Sequence, residues 1–125
     1  MEKKLNYIIN HKIWIENENG EGILGDGKWE FLKIIHATAS LKIAIQEMGW
    51  GYRSTWTKLK QIEKRLGFNI IEKSRGGSGG GGYTKLTKEG EKLVEYFQKL
   101  HDDIDLIIKK PIEEFLIKVE RINEE

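Results

Sequence analysis

The chain has 125 residues, 38% of them hydrophobic, enough for one domain with an appended helix. It contains no cysteine, which excludes disulfides and thiolate-held metals. No run of about 18 apolar residues occurs, and no signal-type apolar stretch opens the chain, so a soluble, cytoplasmic protein is expected. The formal charge of +1 conceals a basic centre. Residues 52–92 carry ten basic and four acidic side chains, against six and seven in 1–51 and five and nine in 93–125. Charge gathered in one block is the footprint expected of a polyanion-binding face.

Leu5, Tyr7, Ile9, Ile13 and Ile15 alternate with polar residues, predicting a strand from about Lys4 to Glu16. Asn19-Gly20 signals a hairpin turn, with Ile23-Leu24 as the return strand. Asp26 or Gly27 can cap a first helix over about Lys28–Ala37. Ser40 is a natural N-cap for a short second helix through Met48.

Gly49 then turns the chain into a third helix. Thr55, Trp56, Leu59, Ile62 and Leu66 share one stripe of it, while Arg53, Ser54, Thr57, Lys58, Lys60, Gln61 and Lys64 lie mostly on the other side. A short helix, a glycine turn and a helix with long hydrogen-bond donors outside form the helix-turn-helix pattern. Leu66-Gly67 stops that helix. Two short strands follow, around Ile70-Ile71 and Tyr83–Leu86, joined by Arg75-Gly-Gly-Ser-Gly-Gly-Gly-Gly82.

The glycine cluster is not a P-loop, because no Gly-Lys-Ser/Thr follows and it feeds a strand. It reads as a flexible linker or as the tip of a wing. Lys73, Arg75 and Lys85 flank it, and Gly76, Gly77, Gly79 and Gly80 would let the backbone approach phosphates, which favours the wing. Tyr52 and Arg53 open the recognition helix, where Arg53 could fork onto a guanine.

Thr87 caps a last helical region, weakened early by Gly90. Its apolar residues Leu93, Phe97, Leu100, Ile104 and Ile107 recur at steps of four and three, and the pattern restarts at Ile108, Ile112, Phe115, Val119 and Ile122. Pro111 is expected to kink this helix or start a new one. A seam this long suits pairing with a second copy, the alternative being a helix folded back on its own domain; the expected dimerisation residues are Leu93, Phe97, Leu100, Ile104, Ile107, Ile108, Phe115 and Val119. His11, His36 and His101 show no ligand spacing, so no metal, cofactor or oxyanion site is expected. With no nucleophile–base pair or catalytic motif, the chain is not expected to be an enzyme.

The residues Gly49, Tyr52, Arg53, Trp56, Ser74, Gly76, Gly77, Gly79 to Gly82, Leu86, Thr87 and Gly90 carry a resemblance. Over Ser40 to Leu86 the chain resembles the N-terminal DNA-binding domain of ModE-type molybdate-responsive transcriptional regulators. Ile62 to Gly67 with Leu86-Thr87-x-x-Gly90 also resembles the more distant LysR-type regulators. Gly51 and Thr55 depart from the family's usual Ser and Ala, and Ile45 from its small Ala. The family carries an oxyanion-binding module after the dimerisation region, and this chain is expected to lack it.

The resemblance implies a mainly α fold with small β (α+β): a winged helix-turn-helix with an N-terminal β-hairpin and a long C-terminal dimerisation helix. The expected domains are the hairpin (1–27), the DNA-binding core (28–86) and the helical dimerisation region (87–125). The expected function is a homodimeric, sequence-specific regulator of transcription on double-stranded DNA. The competing reading is a winged scaffold that recruits a protein partner through its C-terminal helices.

Overall fold

Among the described residues, 8–74 and 83–124, the computed structural model places two hairpins, four α-helices and a terminal 3-10 turn at Ile122–Glu124. They divide into two compact units, one of Lys12–Phe97 and one of residues 8–11 with 98–124.

In the first unit β1 (Trp14–Glu16) pairs antiparallel with β2 (Gly22–Gly25). Asn17 holds their turn: its Oδ1 accepts the backbone N–H of Asn19 and of Glu21, each at 3.0 Å. Among the described residues, the strand expected from Lys4 to Glu16 is present only as Trp14–Glu16. Trp14 already pairs with Gly25, the last residue of β2, so Ile8 to Ile13 have no partner strand. Lys4 to Tyr7 lie outside the described residues. Trp14 is 63% exposed, and its indole N–H donates to Glu16 Oε1 at 2.9 Å.

Three helices follow: α1 (Asp26–Thr38), α2 (Leu41–Met48) and α3 (Tyr52–Leu66). Gly25, not Asp26 or Gly27, takes the N-cap position of α1, without a side-chain bond. Ser40 caps α2 as expected, its hydroxyl accepting the Ile43 N–H at 3.1 Å. Gly49 ends α2 at φ 66°, a left-handed turn that glycine enters without a Cβ penalty. Each helix turns its apolar stripe inward. Leu24, Phe31, Leu32, Ile35, Leu41, Ala44, Leu59 and Ile62 are buried together with Ile70, Leu86 and Phe97. Burying each large side chain contributes about 1.5–3 kcal/mol.

The second hairpin, β3 (Ile71–Ser74) and β4 (Tyr83–Leu86), pairs Ile71 with Leu86 through Ser74 with Tyr83. Arg75 to Gly82, the expected wing tip, lies outside the described residues. The hairpin is tied to the helices: the Thr84 N–H donates to Ala39 O at 3.1 Å and the Thr87 N–H to Ile70 O at 3.0 Å. This is an α+β winged helix.

The last helix, α4, spans Lys88–Glu120 without a break at Pro111. Of the two outcomes expected at Pro111, the start of a new helix does not occur. Proline removes one N–H, and the carbonyl it leaves unpaired belongs to exposed Ile107, where water can serve it. Thr87 starts the helix, accepting the Gly90 N–H at 2.9 Å and donating to Asn69 O at 2.7 Å. The first turns of α4 complete the core: the Trp29 indole donates to Val94 O at 3.2 Å and meets Phe97 edge-on at 5.2 Å. No described helix is long and apolar enough to cross a membrane.

Candidate nucleic-acid interface

The face of α3 opposite the core carries Arg53, Thr57, Lys60, Gln61 and Lys64, all exposed and spaced as one side of a helix. Its inner face is more polar than an apolar stripe requires. Thr55 is fully buried, and its hydroxyl donates to Gly51 O at 2.7 Å, so its oxygen is satisfied. Glu63 is buried as well, 8% exposed. Its Oε2 accepts the Ile70 N–H at 2.8 Å and reaches that of Ile71 at 3.4 Å, fastening the start of the wing to α3.

The entrance to α3 lacks a side-chain cap, because Gly51 occupies that position. Its carbonyl instead accepts from the Thr55 N–H, the Thr55 hydroxyl and the Ser54 hydroxyl. Gly51 has extended backbone angles, φ −78° and ψ 150°, that any residue can adopt. A Cβ there would meet only the movable Ser54 Oγ, at 3.1 Å. Gly51→Ser should therefore stabilise the unit by a few tenths of a kcal/mol, about the usual gain for such a cap. Thermal melts of the two proteins check this, and slower hydrogen exchange at Tyr52 to Ser54 should accompany it.

Several cations on this side are already held in place. The Lys73 ammonium of β3 sits 4.0 Å over the Trp56 ring, and that of Lys58 sits 4.0 Å over the Trp50 ring. Such contacts are worth about 0.5–1 kcal/mol at exposed sites and leave the charge facing outward. Lys60 reaches Glu63 Oε1 at 3.5 Å and Lys85 reaches Glu72 at 3.4 Å. Tyr83 first, then Glu72, raises the Lys85 pKa above its usual value. Lys28 is lowered by burial, then by the positive charges of Arg65 and Lys58, which marks a crowded basic region.

The hydroxyls of Ser54 and Thr57 donate along their own helix, to Gly51 O at 3.0 Å and to Arg53 O at 3.1 Å. They offer lone pairs outward more readily than protons. Arg65 faces the hairpin, donating to Gly22 O and pairing with Glu21 at 3.1 Å. That side of α3 is structural. The Glu21 carboxyl is held below its ordinary pKa by the Asn17 hydrogen bond and then by Arg65.

Tyr52 and Lys73 line one open crevice of about 680 Å³ between the start of α3 and the wing. Lys42, Gln46, Ser74 and Tyr83 line it too, and residue patterning had not singled these four out for a binding role. The α2 pair becomes visible only when the wing strands stand beside α2. A second, shallower depression along α3 is formed by Trp56, Thr57, Lys60, Gln61 and Lys64. Arg75, Gly76, Gly77, Gly79 and Gly80 lie outside the described residues.

Of the expected dimerisation residues, Phe97 is 3% exposed against Trp29, and Leu93 packs on the same core. Leu100, Ile107 and Phe115 are exposed, and Ile104, Ile108 and Val119 are half-buried.

No family model matches the chain. Curated relatives do. The DNA-binding transcriptional dual regulator ModE of Escherichia coli K12 is 29% identical over 69 residues, covering 55% of this chain and 26% of that protein. The transcriptional regulator ModE of Yersinia pestis is 32% identical over 69 residues. The molybdenum-pterin-binding protein MopB of Rhodobacter capsulatus is 31% identical over 71 residues, or 57% of this chain and 26% of its own. The match thus spans about a quarter of each relative's length. Over slightly more than half its residues, the chain is similar to the ModE transcriptional regulators.

Proposed function

We propose that this chain binds double-stranded DNA sequence-specifically and regulates transcription as a homodimer. The observation that carries the reading is the exposed row Arg53, Thr57, Lys60, Gln61 and Lys64 on α3, flanked by the wing lysines 73 and 85. A helix of about 10–12 Å diameter fits the major groove. Arg53 and Gln61 have the planar groups that read guanine and adenine edges, whereas lysines serve phosphates. Tyr52 and Ser54, at the entrance of α3, contact base edges or the backbone beside them. Thr57 and Lys58 complete the contacts along the helix. The wing, with Arg75 and its glycines, follows the adjacent phosphates.

The experiment is a binding series against a selected operator and random DNA at several salt concentrations. Affinity should fall steeply with salt, by roughly one order in log K per log salt for each phosphate neutralised. Arg53→Ala should lose about 1–3 kcal/mol on the operator and little on random DNA. Lys73→Ala should weaken both alike and flatten the salt slope by about one. A salt-independent affinity, or equal losses for the two variants on both DNAs, would contradict this mode.

Self-association is proposed to use α4 beyond the core. Ile107 is 71% and Phe115 57% exposed, although both continue the heptad-like seam with Leu100, Ile104, Ile108 and Val119. With Leu93 and Phe97 committed to the core, the seam begins at Leu100. Sedimentation should give a dimer at micromolar concentration, and a double Ile107→Lys, Phe115→Lys chain should be monomeric with unchanged helix content. Two such recognition helices would address half-sites about 34 Å apart. A monomeric parent, with or without DNA, would remove the dimer from this reading.

A further inference from the structure

In the unit formed by residues 8–11 and 98–124, two histidines and an aspartate from opposite ends of the chain meet. His101 and Asp105 are four residues apart on α4 and so share one helical face. His11 comes from the segment before β1. Its Nε2 stands 3.3 Å from Asp105 Oδ1, and its ring centre lies 6.3 Å from that of His101. One nitrogen or oxygen of each of the three lies within 4.8 Å of the other two. An ion held at about 2.0–2.2 Å needs ligand atoms roughly 3.2–3.6 Å apart. Rotation of side chains can close that difference, since His11 and Asp105 are exposed and His101 is half-buried.

We propose that His11, His101 and Asp105 form a binding site for one late first-row divalent cation, Zn²⁺ being the best match. Two imidazoles and one carboxylate suit such ions, whereas Mg²⁺ and Ca²⁺ prefer all-oxygen sets. On the neighbouring helix surface Asp102 accepts a hydrogen bond from the neutral Gln98 amide and adds negative charge, whereas Asp103 is paired with Lys99. Ligation needs neutral imidazole nitrogens and an ionised carboxylate, so any proton these atoms carry passes to solvent when the ion binds. Three protein ligands leave a coordination position for water.

The ion would clasp the segment around His11 onto α4. That segment already rests there: Ile9 and His11 line an apolar depression of about 600 Å³ with Ile108, Pro111, Ile112 and Phe115. Metal occupancy therefore stabilises a packing that joins residues 90 positions apart (His11 and His101). Cation binding itself does not depend on the DNA-binding reading.

The test is titration of the untagged, metal-stripped full chain with Co²⁺ alone, followed by visible d–d absorption. The expected result is one Co²⁺ per chain, displaced by Zn²⁺ and indifferent to excess Mg²⁺. His11→Ala, His101→Ala and Asp105→Asn should each weaken uptake at least about tenfold, the loss that even outer-shell changes produce. His36→Ala, on the exposed side of α1, should bind as the parent does. His11→Ala lies outside every helix, so circular dichroism should show unchanged helix content and separate lost binding from lost folding. The proposal is overturned if the parent takes up no stoichiometric Co²⁺. It is equally overturned if His11→Ala, folded as the parent, binds as tightly, or if His36→Ala loses as much as the three ligand variants.

Discussion

Gly90→Ala is expected to destabilise the winged unit by about 1–3 kcal/mol, the usual range for overpacking. For a unit of this size that lowers the melting temperature by roughly 5–20 °C. A helical glycine replaced by alanine ordinarily gains about 0.5–1 kcal/mol, so propensity alone predicts the opposite sign. The space decides. A Cβ on Gly90 would stand 3.1 Å from the carbonyl carbon and 3.2 Å from the Cα of Ile70, and far inside contact distance of its oxygen. Ile70 is fully buried, and its carbonyl also accepts the Thr87 N–H, so this strand entrance cannot shift cheaply. Gly27→Ala is the matched control. Gly27 lies in α1, where a Cβ meets nothing within 4 Å, so that change should be neutral or stabilising. Thermal unfolding of both variants measures the contrast, and similar melting temperatures for the two would contradict the close approach.

Glu63→Ala should cost about 1–3 kcal/mol, because it removes the acceptor for the buried Ile70 N–H and abandons that donor away from water. Glu63→Gln keeps an acceptor oxygen and should lose appreciably less, at most about half. The ordering, rather than either value, carries the test: equal losses would mean that volume, not the hydrogen bond, matters here. Because Glu63 joins α3 to the base of the wing, the proposed DNA binding predicts that the alanine variant also binds DNA more weakly at temperatures where it is still folded. Chemical denaturation and binding at low temperature read the two effects separately.

Both residues were hard to read from the chain. Glu63 falls among lysines on a helix that looks polar all along one side, and nothing local shows that it turns toward Ile70. Gly90 looks like a flaw in a helix until the strand beside it is in place. Lys73 and Lys58 show the same limit: their charge was legible, but their seats over Trp56 and Trp50 depend on residues distant in sequence. The heptad-like spacing of Leu93 and Phe97 was real, yet it could not say which partner the stripe meets. Their place in the core follows from Trp29 lying against α4. The N-terminal alternation was legible too, but a strand needs a partner, and β2 ends at Gly25.

The sequence by itself determined the helices, the Ser40 cap, the turn at Gly49, the two hairpins and the concentration of positive charge around α3. These depend on periodicity, short-range hydrogen bonds and backbone preference, which act within a few residues. Tertiary structure alone decided which helical faces stay exposed, how α3 is fastened to the wing, and that His11 meets His101 and Asp105. Those outcomes depend on contacts between residues far apart in the chain, whose pairing no local pattern encodes.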